Sequence, residues 1–230
     1  MRLEMQTFLV TGADRGIGEA LCREARSRGA RVLAACLGDS ESLSREGVEV
    51  VPGVDVTSDR AVAALAERLT GTRLDVLVNN AGVVEPVDLG RLDFAKLRRE
   101  YEVNALGPLR VTQALLGCLG EGSKVAIVTS RVGSLGENLS GGLYGYRMSK
   151  AAANMAGICL ARDLARRGIA VICLHPGSVR TEMTRGLPDG VGGPFVEPAE
   201  AARGLVTRID ELTLQTTGTF RHANGEALPW

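Results

Sequence analysis

Gln6–Gly18 reads QTFLVTGADRGIG, a short apolar run that breaks into a glycine-rich turn. The spacing is Gly12-x-x-x-Gly16-x-Gly18, which differs from the GxGxxG dinucleotide fingerprint but rests on similar physics. Gly12 permits a tight turn, Gly16 lets a phosphate group come close to the backbone, and Gly18 lets the following helix pack on the sheet. Asp14, Arg15 and Ile17 fill the rest of the turn. From Gly16 to Arg28 the apolar residues Ile17, Ala20, Leu21 and Ala25 share one helical face, and Gly29 ends the run. A strand, a glycine turn and a helix in that order present the unpaired N–H groups and positive dipole end of the helix to an anion. A turn that serves packing alone is the alternative.

Working outward, the same alternation repeats. Apolar strands are expected at Gln6–Val10, Arg31–Cys36, Val48–Val51, Asp75–Val78, Lys124–Thr129, Ile169–Leu174 and Thr217–Phe220. Between them lie helices from Ser58, as cap, to Leu69, over Asp93–Leu119, over Tyr144–Arg167 and over Glu197–Leu212. The strands are apolar without period-2 alternation, so both of their faces are buried, as in parallel sheets covered by helices. The expected fold is α/β: one Rossmann-type, doubly wound parallel sheet of about seven strands, spanning residues 1–230 as one domain. Ligands of such sheets sit at the carboxyl ends of the strands. A Gly- and Pro-rich stretch over 180–196 follows one such end and reads as a substrate loop.

Composition narrows the function classes. With 27 basic and 27 acidic residues, the chain has no net charge and so no electrostatic case for nucleic acid or an anionic membrane. No apolar run reaches the roughly 18 residues of a membrane span. The start, MRLEM, lacks a signal-peptide core and points to the cytoplasm. Five widely spaced cysteines without a CxxC pair suggest reduced, packed thiols, and two histidines make a histidine-based metal site improbable, so no metal is expected.

Several motifs fall at the strand ends. Asn79-Asn80-Ala81-Gly82 follows the fourth strand, Asp55 stands in VDVTS after the third, Asn104 lies in YEVNALGP and Ser130 in IVTSRVG. Tyr146 and Lys150 in YGYRMSK are four apart and share a helical face, placing a phenol beside a cation. HPGSVRT starts at His175. This ordered set, with TGADRGIG, resembles the short-chain dehydrogenase/reductase family over nearly the whole chain. NLSGGLYGYRMSK and the terminal GEALPW look like its C-factor and sniffer-like carbonyl reductase branch.

The resemblance implies a catalytic tetrad of Asn104, Ser130, Tyr146 and Lys150. Tyr146 would transfer the proton, Ser130 would bond the substrate oxygen, and Asn104 would hold a relay water linked to Lys150. Tyr144 has Arg147 and Met148 where a lysine is required, so it is left as pocket wall. Ser134 is the rival serine, but Ser130 fits the family's Ser-x-x-Gly with Gly133. The Ser130–Tyr146 separation exceeds that of many relatives, and the excess, in GENLSGG, should bulge outward. Asn104 sits inside an expected helix, where its amide competes for backbone bonds, so a local distortion is expected there.

For the cofactor, the resemblance implies that Asp55 meets the adenine amino group, with a turn or capping role as its alternative, and that Val56 offers its backbone. Asn79, Ala81 and Gly82 would line the adenosine ribose and nicotinamide side. Lys150 would bond the nicotinamide ribose beside Tyr146. Pro176-Gly177 would turn the chain so that Val179 and Thr181 fix the carboxamide. NAD-binding chains need an acid at the end of strand two, and here Cys36 and Leu37 stand there. Arg15 could meet a 2′-phosphate through its planar fork, so NADP(H) is expected over NAD(H), with a solvated turn charge as the alternative.

Val132, Leu135, Leu139, Tyr144, Met183, Leu187 and Phe195 are the expected pocket residues, mostly apolar, suiting a small-molecule ketone, aldehyde or alcohol. The expected reaction is hydride transfer between the nicotinamide and a carbonyl carbon. Two alternatives are a non-enzymatic nucleotide-binding signalling protein and an epimerase or rearrangement enzyme using the same tetrad. The helix from Tyr144 is apolar around more than one face, through Ala151, Ala152, Ala156 and Leu160, which suggests a homodimer or homotetramer.

Overall fold

The computed structural model describes residues 3–185 and 194–230. Seven parallel strands form the main sheet: β1 (Thr7–Thr11), β2 (Arg31–Ala35), β3 (Glu49–Val51), β4 (Leu74–Asn79), β5 (Leu119–Val128), β6 (Ala170–His175) and β9 (Thr219–His222). Their order is β3-β2-β1-β4-β5-β6-β9, so the winding reverses between β1 and β4 and opens a crevice there. This is the doubly wound α/β architecture expected from the strand pattern.

Both faces of the sheet are buried. Phe8, Val10, Val32 and Ala34 point to one side, against Leu21 and Ala25 of α1 (Gly16–Ser27) and Leu205 and Ile209 of α7 (Pro198–Asp210). Leu9, Leu33, Leu77, Val125 and Val171 point to the other. There they meet Val62 and Leu65 of α3 (Asp59–Arg68), Val111 of α5 (Gly107–Ala114) and Leu164 of α6 (Tyr144–Ala165). A side chain facing either way is therefore removed from water, which is why the strands read as unbroken apolar runs. Ser58 caps α3 by accepting the Ala61 N–H at 3.2 Å.

Three elements depart from the sequence expectation. The single helix expected over 93–119 divides into α4 (Phe94–Tyr101), a π-helical turn (Glu102–Leu106) and α5, and Leu119 already opens β5. Pro108 has no N–H to give to the Asn104 carbonyl, so the α ladder breaks at this point. The distortion expected at Asn104 thus has a physical cause four residues downstream. A short helix, α2 (Glu41–Arg45), and a two-strand ladder, β7 (Ser178–Val179) with β8 (Phe195–Val196), carry too few residues to show a period. The ladder pairs the two ends of the 180–196 loop.

Among the described residues no helix is long and apolar enough to cross a membrane. Cys22, Cys36 and Cys173 are buried free thiols, Cys118 is half-buried and Cys159 exposed. α6 lies hard against the sheet: a Cβ at Gly157 would come within 2.2 Å of the Cys173 sulfur in β6. That close approach sets the height of α6 over the strand ends.

Candidate active site

The glycine turn is held by side chains of two strand ends. Gly12 takes the left-handed conformation at φ +60°, and a Cβ there would lie 2.7 Å from the Ala81 Cα. A Cβ at Gly18 would lie 2.1 Å from the Gly12 carbonyl oxygen and 2.6 Å from the Asn80 amide, so Gly18 packs against the turn itself. Asn80, absent from the sequence-derived site, donates from its amide to the carbonyls of Thr11 and Gly12, each at 3.0 Å. The Thr11 hydroxyl accepts the N–H groups of Asn80 and Ala81 at 3.1 and 3.2 Å. These bonds tie the turn after β1 to the turn after β4. The doubled Asn in the NNAG motif was the available signal.

α1 starts at Gly16 with no side-chain cap, as Arg15 precedes it in extended conformation. Its first N–H groups therefore lack partners within the helix and suit a phosphate. Arg15 is exposed, 3.5 Å from Glu182, and Asp14 and Ile17 are half-buried. Thr181 lies across the turn, its Cγ2 3.3 Å from where a Gly16 Cβ would stand. Val179 is buried in β7 and Gly177, after buried Pro176, adopts φ +91°.

The remaining cofactor candidates divide. A small depression gathers Val56, Asn79 and Ala81 with Thr11. Asn79 is buried with its amide nitrogen on Thr112, 3.1 Å away, which leaves its buried oxygen without a partner. The Asp55 Oδ1 accepts the Thr57 N–H at 2.8 Å and its hydroxyl at 2.7 Å, a local turn that leaves Oδ2 uncommitted. The Cys36 thiol is buried and donates to Ala34 at 3.5 Å, so only its backbone stands at the end of β2. Leu37 is exposed, and the Asp39 carboxylate accepts the N–H of Ser40. These residues fit a dinucleotide with phosphates on α1: an uncapped helix start, a glycine-lined turn and no acid at the end of β2.

Asn104, Ser130, Tyr146 and Lys150 converge at the same edge. The π turn aims the Asn104 side chain, 1% exposed, at Val83, accepting its N–H and donating to its carbonyl, both at 2.8 Å. The same amide donates to the Ser149 hydroxyl at 3.0 Å, and Ser149 donates to the Tyr146 carbonyl at 2.8 Å. Asn104 is therefore joined to α6 through a side chain the sequence had not singled out. A Cβ at Gly82 would meet the Asn104 Oδ1 at 3.2 Å and the Lys150 Nζ at 3.6 Å.

Ser130 opens a 3-10 turn (Arg131–Gly133), accepts the Val132 N–H at 3.4 Å and stands close enough to the Tyr146 phenol to lower its pKa. Gly133 must be glycine because a Cβ would lie 2.7 Å from the Lys150 backbone, which is the physical content of the Ser-x-x-Gly spacing. The rival Ser134 turns away and donates to the Trp230 carbonyl at 3.2 Å. Lys150, 4% exposed, donates to the Val128 carbonyl at 2.9 Å, and its Nζ stands 5.6 Å from the centre of the Tyr146 ring. Burial pushes the Lys150 ammonium down to about 8 and the Tyr146 phenol up to about 12. In this environment the phenol holds its proton tightly, and the lysine sits well below its ordinary range.

The expected pocket residues are less gathered. Val132, Tyr144 and Phe195 are half-buried, and Arg180 stacks 5.4 Å from the Phe195 ring. Leu135, Met183 and especially Leu139, 95% exposed, stand outward, and residues 136–142 bulge from the surface as the longer Ser130–Tyr146 separation implied. Leu187 lies outside the described residues.

The buried lysine has a consequence for stability. Between about 8, its value in the folded chain, and 10.5, its ordinary value, the unfolded chain binds the lysine proton more tightly. The penalty for burying the charge is therefore full below that window, fades as pH rises through it and is gone above it. Lys150→Met removes the penalty at all pH values. Its stability relative to wild type, measured by denaturant unfolding, should fall by up to about 3 kcal/mol as pH rises through this window, at about 1.36 kcal/mol per unit. A difference that stays constant with pH would show that Lys150 carries no such penalty.

Comparison with known proteins agrees with this geometry. The family model described as short chain dehydrogenase matches residues 6–191. The chain is 49% identical over 228 residues to 1-hydroxy-2-glutathionyl-2-methyl-3-butene dehydrogenase of Rhodococcus sp. (strain AD45), covering 98% of this chain and 100% of that one. It is 44% identical over 172 residues to C-signal of Myxococcus xanthus, covering 73% of this chain and 99% of the relative. Among solved structures, NADPH-bound carbonyl reductase from chicken fatty liver superposes with a TM-score of 0.87 at 29% identity, over 99% of this chain and 100% of that one. With a glycine turn, a doubly wound sheet and a Ser-Tyr-Lys cluster at its open edge, the chain belongs to the short-chain dehydrogenase/reductase family and is an oxidoreductase of that family.

Proposed function

We propose that the chain is an NADP(H)-dependent oxidoreductase acting between a ketone or aldehyde and the corresponding alcohol, with Tyr146 giving or taking the proton. The observation that carries this proposal is the meeting of the Tyr146 phenol, the Ser130 hydroxyl and the Lys150 ammonium beside the uncapped start of α1. The nicotinamide, when bound, supplies or accepts the hydride at the carbonyl carbon. Ser130 holds the substrate oxygen in line with the phenol, and Tyr146 gives that oxygen its proton. Lys150 lends its charge to the phenol and has Gly82 and Asn104 as neighbours on the cofactor side. In the reverse direction Tyr146 must first lose its proton, so alcohol oxidation should rise with pH. The dehydrogenase name of the Rhodococcus relative supports counting that direction.

The substrate is an apolar carbonyl compound or alcohol, admitted past Val132, Tyr144 and Phe195, with 180–196 as the substrate loop. The whole of residues 1–230 serves as one catalytic domain. NADP(H) is favoured because Arg15 is exposed beside the turn while Cys36 and Leu37, neither of them an acid, follow β2. Its weak contact with Glu182 leaves the guanidinium able to turn toward a 2′-phosphate. Two copies pair through α4 and α6, whose outer surfaces expose Phe94, Tyr101, Met148 and Met155. A tetramer would repeat such pairing.

Tyr146→Phe should cut turnover about 10²–10⁴-fold with NADP(H) affinity nearly unchanged, since it deletes one hydroxyl and little volume. Full activity in this variant would remove Tyr146 from the chemistry. Calorimetric titration should show tighter binding of NADP(H) than of NAD(H), and Arg15→Ala should erase most of that difference. Equal or better NAD(H) binding by the wild type would overturn the cofactor assignment. Light scattering at micromolar concentration should give at least the mass of a dimer, and a strictly monomeric mass would refute the pairing.

A further inference from the structure

Glu100 is a buried acid that the proton-transfer chemistry above does not use. It lies in α4 and is 1% exposed. One carboxylate oxygen, Oε1, accepts the Glu85 N–H at 2.9 Å. The other, Oε2, is buried and has no hydrogen-bond partner among the described residues. It presses on the first turn of α6, for a Cβ at Gly145 would lie 2.0 Å from it. Gly145 stands between Tyr144 and Tyr146, so the unpartnered oxygen is set against the backbone that carries the phenol.

Glu100 also continues a ladder. Asn104, one helical turn on, grips Val83 by its N–H and carbonyl, and Glu100 grips Glu85 two residues further along the same segment. Side chains four apart on α4 and its π turn thus fasten alternate residues of the stretch after NNAG. The charged groups around this carboxyl are few. Glu85 faces it from that segment and is itself paired with Arg99 of α4. From α6 Gly145 stands against it, next to Tyr146, whose phenol feels its charge and lies near Ser130 and Lys150. No cation among the described residues forms an ion pair with Glu100.

We propose that Glu100 is a positioning residue for Tyr146: one carboxylate oxygen fastens Glu85, and the other is wedged against Gly145, the residue before the phenol, so that the charge of this carboxyl bears on Tyr146. This rests on the assignment of Tyr146 as proton donor. Burial and the nearby Glu85 charge push the Glu100 carboxyl up, so it holds its proton into a higher pH range than an ordinary glutamate. Burial raises the Tyr146 phenol first, and an ionised Glu100 adds to it by repelling a tyrosinate. The arrangement favours carbonyl reduction and delays alcohol oxidation to higher pH.

The test compares wild type with Glu100→Gln, which keeps the volume and an acceptor for the Glu85 N–H but cannot carry charge. The first readout is independent of turnover. Ionisation of Tyr146 is followed by NMR of isotope-labelled tyrosine, its signal assigned by its loss in Tyr146→Phe. At a fixed alkaline pH below the midpoint, Glu100→Gln should hold measurably more tyrosinate at position 146, the midpoint moving down. Identical ionisation in the two proteins would overturn the proposal. The second readout is the pH profile of alcohol oxidation, whose rising limb should move down by the same amount, while Glu100→Leu, which frees the Glu85 N–H as well, should lower kcat more than it changes KM. An unmoved limb would likewise overturn it. If wild type turned over no carbonyl compound or alcohol, the functional assignment would fail, and the NMR titration would still decide the role of Glu100.

Discussion

The site depends on how closely α6 sits on the sheet. Its backbone comes against the turn after β5 at Gly133 and against the Cys173 sulfur at Gly157. A side chain at either glycine would lift the helix by a good part of a methyl group, and packed interiors absorb such shifts poorly. Because the helix is pressed down at two points, Lys150 reaches the Val128 carbonyl, and Tyr146 meets Ser130. The four-residue spacing puts Tyr146 and Lys150 on one face, and the contact with the sheet turns that face toward the crevice.

That seating has an electrostatic cost. Lys150 and Glu100 are drawn out of water and Tyr146 is half-buried, and each is driven toward its neutral form: the lysine down, the phenol and the carboxyl up. An ammonium with only a carbonyl for a partner and a carboxylate oxygen with none are features a fold selected for stability alone would avoid. Here they flank the Tyr146 phenol. The surrounding glycines and the clamp of Asn104 on Val83 keep the groups in register despite that cost.

The other half of the site, the glycine turn, is built with little charge. Thr11 and Asn80 lock the ends of β1 and β4 together through backbone groups, and α1 starts without a cap. The winding reversal between β1 and β4 leaves these loops diverging to opposite faces, which opens the crevice between them. A dinucleotide lying there would have its phosphates at α1 and its reactive ring toward Tyr146. Fold and chemistry therefore share the same few strand ends.

Much of this was legible without coordinates. Apolar strands lacking alternation required a sheet covered on both faces, and TGADRGIG, NNAG, Ser130 and the Tyr146–Lys150 spacing placed the chemistry at its carboxyl edge, because these are local patterns set by backbone conformation and helical period. The break at Asn104 was anticipated from asparagine's poor fit in a helix, while its cause in Pro108 and its exact form as a π turn emerged from the helix geometry. Other features had no local signature. Asn80 acts by reaching back to Thr11, Ser149 by linking Asn104 to Tyr146, and Glu100 by meeting Gly145 from another helix. Each joins residues distant in the chain, and a sequence pattern carries spacing along the chain but no distance across it. The sequence by itself thus determined the sheet, the turn and the candidate site residues. Only the tertiary structure decided which of their neighbours touch them, since burial and partner choice, and with them the protonation of Lys150, Tyr146 and Glu100, arise when separate elements pack.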